Sequence, residues 1–167
     1  MRTWSSIRQA VAATCLLVLT SAAFTSLTST AAYAHLCPLT QGFWKNHTIP
    51  IGLSLGGQVY TPAQLLSILQ AQPSGGNAAL ILAHQLIAAD LNIATGSTGF
   101  PISPSIDAIR ISANALLSAH CGTTATRLPS CFVQASTGDG PAMVADADIL
   151  DSFNEGTLTP VCTPRPG

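Results

Sequence analysis

Charge is scarce in this sequence of 167 residues, of which 8% are charged and 5% are aromatic. Its six lysines and arginines nowhere form a cluster. Nucleic acids and anionic lipid surfaces attract proteins through clustered cations, so the composition argues against both as partners.

Recognisable catalytic motifs are missing as well. We identify no nucleophile elbow, phosphate-cradling loop or HExxH motif. The cysteines never have the CxxC spacing that is typical of zinc sites. Beyond the amino-terminal segment, no stretch approaches the roughly 20 apolar residues of a membrane span, so we expect none in the mature chain.

Residues 1–34 have the three parts of a secretory signal peptide. Two arginines precede an apolar run from Ala10 to Leu19, and Ala32-Tyr33-Ala34 is a small-x-small cleavage site. We therefore expect a secreted protein, extracellular or at the cell surface, with a mature chain that begins at His35. An anchor retained at the amino terminus is the alternative. Cleavage would leave a single domain, residues 35–167, with four cations against seven carboxylates.

Four cysteines remain after cleavage: Cys37, Cys121, Cys131 and Cys162. An even number in an exported chain is typical of disulfides, and four cysteines allow three pairings. We favour Cys37 with Cys162, which would join the ends of the domain and contribute about 4–5 kcal/mol through chain entropy. Cys121 with Cys131 would then close a short loop. A zinc site is the rival use of these residues.

The helix pattern centres on residues 77–92, NAALILAHQLIAADLN, which are apolar in nearly every direction around a 3.6-residue period. Such a helix should be covered on most sides. Thr61-Pro62-Ala63-Gln64 supplies the N-cap, the first-turn proline and the capping-box glutamine of another helix. Ser103-Pro104 begins a third helix, and Pro141 opens a last one that Gly156 closes.

The predicted fold class is therefore all-α, a compact array of about four main helices around a buried central helix, closed by disulfides. Two smaller elements accompany them. Thr40 is expected to begin a short helical turn, and residues 58–60 to form a short extended piece.

A set of motifs runs through nearly the whole mature chain. Its members are Cys37, Thr40 to His47 (TQGFWKNH), Tyr60 to Leu69, Gly76-Asn77, Leu82 to Asn92, Phe153-Asn154-x-Gly156 and Cys162. Together they resemble a group of secreted bacterial proteins marked by a TQG(F/Y)WKNH motif. The resemblance implies an extracellular module without an established activity. It also supports the Cys37 to Cys162 pairing, because cysteines recur at both places in that group.

The chain departs from that group at three positions. Asp90 stands where lysine is frequent, and Cys121 and Cys131 are additional. We see no carboxy-terminal anchor, which favours free secretion or adhesion by contact over covalent attachment.

The block QGFWKNH is the candidate ligand-binding site. Its predicted ligand-binding residues are Gln41, Phe43, Trp44, Lys45, Asn46 and His47. The aromatic rings would offer a stacking platform and the polar side chains would offer donors and acceptors, as in carbohydrate or peptide sites. The alternative is structural: Trp44 packs on the central helix while Gln41 and Asn46 bond to loop backbone. Large aromatic residues of small domains mostly lie in the core.

Histidines suggest a different chemistry. A free amino-terminal His35, together with another histidine, could hold copper through amine and imidazole nitrogens. His47, His84 and His120 could form a zinc site, although no carboxylate partner is evident. For His84, a partly buried ring bonded to backbone or to an asparagine is the simpler interpretation. We assign no metal ligand and no cofactor.

Acidic side chains fall on one face of the last predicted helix: Asp148, Asp151 and Glu155 are three and four residues apart. Their spacing does not match an EF-hand loop, so a solvated face is the better interpretation than a calcium site.

These patterns predict a secreted extracellular binding or structural domain with no recognisable catalytic set. Its partner would be an extracellular carbohydrate or protein. The alternative is a metal-dependent extracellular enzyme that uses copper or zinc at His35 or His47.

Overall fold

The computed structural model describes residues 37–98 and 102–158, which belong to one compact unit, Ala32–Gly167. The predicted signal peptide, His35 and Cys162 lie outside the described residues. Within these ranges the chain is mostly helical, as expected, with five helices and one two-stranded hairpin. The helices are α1 (Gln41–Lys45), α2 (Pro62–Gln70), α3 (Ala78–Ala94), α4 (Pro104–Cys121) and α5 (Gly140–Asn154); the strands are β1 (Leu53–Leu55) and β2 (Gln58–Tyr60).

Helices α2, α3 and α4 begin at residues whose side chains cap them. At α2 the Thr61 hydroxyl accepts the backbone N–H of Gln64, while Gln64 Oε1 accepts the backbone N–H of Thr61 at 2.9 Å. This reciprocal pair is the predicted capping box. At α3 the Asn77 side chain accepts the backbone N–H of Leu80, and at α4 the Ser103 hydroxyl accepts that of Ile106, in both cases without the reciprocal bond. The starts of these three helices could thus be located from short-range sequence signals.

Helix α3 is the most enclosed element of the described chain. Thirteen of its 17 residues are buried, and it packs against α1, α2, α4, α5 and β1, most extensively against α5. Leu82, Leu86 and Leu91 are fully buried, and burying each side chain stabilises the fold by about 1.5–3 kcal/mol. The alanines between these leucines leave little side-chain bulk along α3, which allows its neighbours to approach closely.

The β-hairpin was only half expected, because β1 was not predicted. Leu53 pairs with Tyr60 in the antiparallel ladder, and the turn contains Gly56 and Gly57 with φ of +54° and +77°. A two-residue turn with both φ values positive favours glycine strongly. Gly56 also lies against α4: a Cβ at this position would come within 2.8 Å of the Leu117 backbone.

One predicted disulfide is confirmed. Cys121 and Cys131 are bonded, with their Cα atoms 5.5 Å apart. Cys37 is disulfide-bonded too. Because Cys162 lies outside the described residues, the pairing of Cys37 with Cys162 stays a prediction.

None of the helices in the described ranges has both the length and the hydropathy that crossing a membrane requires.

A buried amide network joins three segments of the chain. Asn92 is fully buried, and its Oδ1 accepts the Leu39 N–H at 2.8 Å and the Trp44 indole N–H at 3.3 Å. Its Nδ2 donates to the Leu39 carbonyl at 2.8 Å and to Asn154 Oδ1 at 3.1 Å. Asn154 Nδ2 donates to the backbone and side-chain oxygens of Gln85, both at 3.0 Å. The network therefore attaches the segment before α1 to both α3 and α5.

We predict that Asn92→Ala lowers the free energy of unfolding by about 3 kcal/mol or more. The substitution removes the partners of several buried groups, and each unsatisfied donor or acceptor costs about 1–3 kcal/mol. Urea unfolding measures the loss. Asn46→Ala is the matched control, since Asn46 is exposed and its loss should cost no more than about 0.5 kcal/mol. Equal losses in the two variants would refute a special role for Asn92.

Candidate functional site

The predicted site folds as α1 and the turn that follows it. The Thr40 hydroxyl accepts the backbone N–H of Phe43 at 3.2 Å and so caps the helix. The backbone N–H of Asn46 bonds to the Phe43 carbonyl at 3.0 Å, which ends the helix after little more than one turn. Helix α1 packs on α2 and α3. A short element is thus fixed at both ends and held on the core.

The aromatic rings of this block have different environments. Trp44 is buried, with 4% of its surface exposed, and Phe43 meets it edge to face with centroids 5.3 Å apart. The His47 ring stacks on the Phe43 ring, with centroids 3.7 Å apart and an angle of 11° between the planes. Phe43 is half-buried and His47 is exposed. The outward-facing ring of the site is therefore His47. It lies on Phe43, which in turn packs against the buried Trp44.

The orientation of the His47 ring is fixed by a backbone contact. Its Nδ1 lies 2.8 Å from the Phe43 carbonyl oxygen, which can only accept a hydrogen bond, so Nδ1 carries the proton. In the neutral ring, Nε2 is consequently an acceptor. An exposed aromatic face with a defined acceptor edge is suited to stacking and hydrogen bonding with a hydroxyl-rich ligand.

Two grooves meet at His47 and Thr48. The first, which we call the lysine groove, has a volume of about 540 Å³ and is lined by Lys45, Asn46, His47, Thr48, Ile49, Pro62, Ala63, Leu66 and Gln70. The second, the aromatic groove, has a volume of about 440 Å³ and is lined by Leu39, Phe43, Trp44, His47, Thr48, Pro50, Thr95 and Ser97. Both volumes fall in the range of small-molecule clefts.

Five of the six predicted site residues line these grooves, and Gln41 lines neither. Gln41 is half-buried in the first turn of α1. Asn46 donates through Nδ2 to the Gly42 carbonyl at 2.8 Å, which is the backbone contact that the structural alternative expects. Ligand contact by the six residues stays a prediction.

Several groove residues were not found from sequence. They are Leu39, Thr48, Ile49, Pro50, Pro62, Ala63, Leu66, Gln70, Thr95 and Ser97. The hydroxyl oxygens of Thr95 and Ser97 are 2.7 Å apart and follow α3. They are far from the QGFWKNH block along the chain, and no local pattern marks them; only the tertiary packing of α1 near the end of α3 brings them to the site.

One catalytic consensus was overlooked in the sequence: GLSLG at Gly52–Gly56 matches the GxSxG pattern of a nucleophile elbow. Ser54, however, lies in β1 and pairs with Val59 of the hairpin. A nucleophile elbow places its serine on a sharp strand-to-helix turn. The hairpin lacks that geometry, so the segment carries no catalytic assignment.

The histidines considered as metal ligands have separate partners. His84 Nε2 bonds to the Ile68 carbonyl at 2.8 Å, His120 Nε2 bonds to Asp139 Oδ2 at 2.8 Å, and His47 stacks on Phe43. Across the two described ranges, no group of three or more His, Cys, Asp or Glu side chains could hold a metal ion. The copper hypothesis at His35 lies outside these ranges.

The acidic residues of α5 and of its C-cap position line neither groove. Asp148 and Glu155 are exposed and Asp151 is half-buried, consistent with the solvated face that was predicted.

Asp90 has a different role: it is buried and pairs with Arg110 at 2.6 Å. Burial raises the pKa of the Asp90 carboxyl, and the charge and hydrogen bond of Arg110 offset part of that rise. Asp90, which stands where lysine is frequent in the resembling group, thus has a partner of opposite charge on α4.

No protein-family model, curated protein or solved structure matches the chain.

His84 gives the fold a dependence on pH. Burial is the largest cause of a lowered pKa, the Ile68 hydrogen bond opposes it, and the charge of Lys45 lowers the pKa further. In the unfolded chain the ring titrates near 6.5. As the pH falls below that value, the unfolded chain binds the proton first, so we predict that stability declines towards the lower pKa of the folded state.

Urea unfolding between neutral and mildly acidic pH measures this slope. We expect His84→Gln to have a smaller slope than the wild type, whereas His120→Gln, at an exposed position, should retain the contribution of His84. An unchanged slope in His84→Gln would contradict the assignment. The test compares the slopes of the wild type and the variant because Asp90 also contributes to the pH dependence of stability. Its pKa is raised in the folded state, so its contribution has the opposite sign and is lost as the pH rises through the folded-state pKa.

Proposed function

We propose that this protein is a secreted, non-catalytic binding domain whose ligand is an extracellular carbohydrate chain that crosses His47 and occupies the two grooves. The scaffold that we propose is the set of four main helices centred on α3 and closed by two disulfides. The QGFWKNH block is the functional surface on that scaffold.

The observation that carries the proposal is the stacked pair of Phe43 and His47 between the two grooves. One face of the His47 ring is covered by Phe43, and the residue is exposed. A sugar ring has an apolar face that can lie against an aromatic ring, while its hydroxyls need donors and acceptors at the edges. Thr48, Gln70 and Thr95 line the grooves around the pair and supply such groups.

Export is part of the proposal. The charged start, apolar run and AYA site of residues 1–34 support it. The disulfide between Cys121 and Cys131 is compatible with an oxidising compartment. The resemblance to secreted proteins with the TQG(F/Y)WKNH motif points to the same location, and we propose membership of that group.

Trp44 favours a second candidate, a structural role for the block. Its indole N–H bonds to Asn92 at 3.3 Å inside the core. The two roles are compatible because they involve different residues of the block: Trp44 faces inward and His47 faces outward. The metal-dependent enzyme remains the alternative from another class. It depends on His35 or His47, and in the described ranges no geometry adds to its support.

We predict that His47→Ala weakens binding to soluble polysaccharide fragments about tenfold, since the stacking and hydrogen-bonding face contributes roughly 1.4 kcal/mol. A glycan array identifies the fragment and calorimetry measures its affinity. The melting temperature should change little because His47 is exposed. His120→Ala, at an exposed histidine outside both grooves, is the matched control.

Trp44→Ala should instead unfold or severely destabilise the protein, by about 3–5 kcal/mol, as is typical of buried aromatic residues. A folded Trp44→Ala protein that has lost binding would contradict the inward role of Trp44. Absence of binding to every fragment, or catalytic turnover that His47→Ala abolishes, would overturn the binding proposal.

A further inference from the structure

We propose that the lysine groove selects a carboxylate, so that the ligand is an acidic polysaccharide of the uronate type rather than a neutral one. This inference rests on the proposed carbohydrate-binding function and specifies the chemical class of its ligand.

The first step is the distribution of cations. Among the described residues, Arg110 is paired with Asp90 at 2.6 Å and with Asp107 at 2.8 Å. The Arg127 guanidinium lies 4.2 Å from the centre of the Tyr60 ring and donates to the Val59 carbonyl.

Lys45 is the remaining cation of the two described ranges, and no ion pair with a described carboxylate engages it. The positive charge of its ammonium group contributes to the lowered pKa of His84.

The second step is the distribution of carboxylates. All seven acidic residues of the sequence lie in the described ranges, and none of them lines either groove. They belong instead to α3, α4, α5 and the residues that directly precede and follow α5: Asp90, Asp107, Asp139, Asp146, Asp148, Asp151 and Glu155. An anion that enters the lysine groove therefore meets one positive charge and no fixed negative charge.

The third step is the set of donors beside Lys45. Asn46, Thr48 and Gln70 line the same groove, and amide and hydroxyl groups can donate to carboxylate oxygens. Hydrogen bonds to an ionised acceptor are stronger than neutral ones. A uronate residue combines a carboxylate for these donors with a pyranose face for the His47 ring, so one sugar chain uses both features of the site.

The test compares two forms of one ligand with the full secreted protein. Short oligogalacturonides and the same oligomers with methyl-esterified carboxylates share one sugar backbone, and the ester replaces each negative charge with a small neutral group. We expect the wild type to bind the acidic form about threefold to fivefold tighter, the effect of one largely solvent-exposed ion pair. Added salt should reduce that preference because exposed charges are screened.

Lys45→Gln should bring the ratio of the two affinities to about one, and Lys45→Arg should restore it. Arg127→Gln, which alters a cation outside both grooves, should keep the wild-type ratio. Circular dichroism checks that each variant is folded.

Equal affinities of the wild type for the two forms, or an unchanged ratio in Lys45→Gln, would overturn the carboxylate inference and leave carbohydrate binding standing. Failure to bind either oligomer or any neutral fragment of the array would overturn both proposals.

Discussion

The hydrogen bonds of Asn92 are the interaction on which the rest of this structure depends. The segment around Leu39 has no regular partner strand or helix, so its backbone groups need side-chain partners. Asn92 provides both an acceptor and a donor to that one residue. Through Asn154 the same amide reaches α5, so one side chain sets the positions of α1, α3 and α5 relative to one another. The aromatic groove is lined by Leu39 and Trp44, so its shape depends on these same hydrogen bonds.

Sequence patterns were sufficient where the determining contacts are local. The Thr61 to Gln64 capping box, the Asn77 and Ser103 caps and the continuous apolar surface of α3 each depend on residues within one or two turns. The hairpin was harder, because three-residue strands leave almost no alternating pattern and the Gly56-Gly57 pair resembles any flexible loop. Part of its support comes from α4, where the Gly56 N–H donates to Asn114 Oδ1 at 3.0 Å.

The candidate site was proposed from sequence, but the inward and outward directions of its rings were not predicted. A run of aromatic and polar residues shows that a block is unusual, yet the direction of each ring depends on distant partners. Trp44 turns inward because Asn92, 48 residues away, accepts its N–H. One clue was present: Asn92 is an amide in the mostly apolar α3, and buried amides require partners. Which partners they choose depends on the fold and could not be inferred from spacing.

The amides at this junction are uncharged at every pH that proteins ordinarily meet, and they hold three chain segments together without an ion pair. Protonation cannot break these bonds, and dissolved salt has no net charge there to screen. The buried group whose titration destabilises the fold on acidification, His84, contacts α2 instead. A drop in external pH would therefore weaken the packing of α3 on α2 before it disturbed the position of α1, so the proposed binding surface is attached to a junction that does not itself titrate.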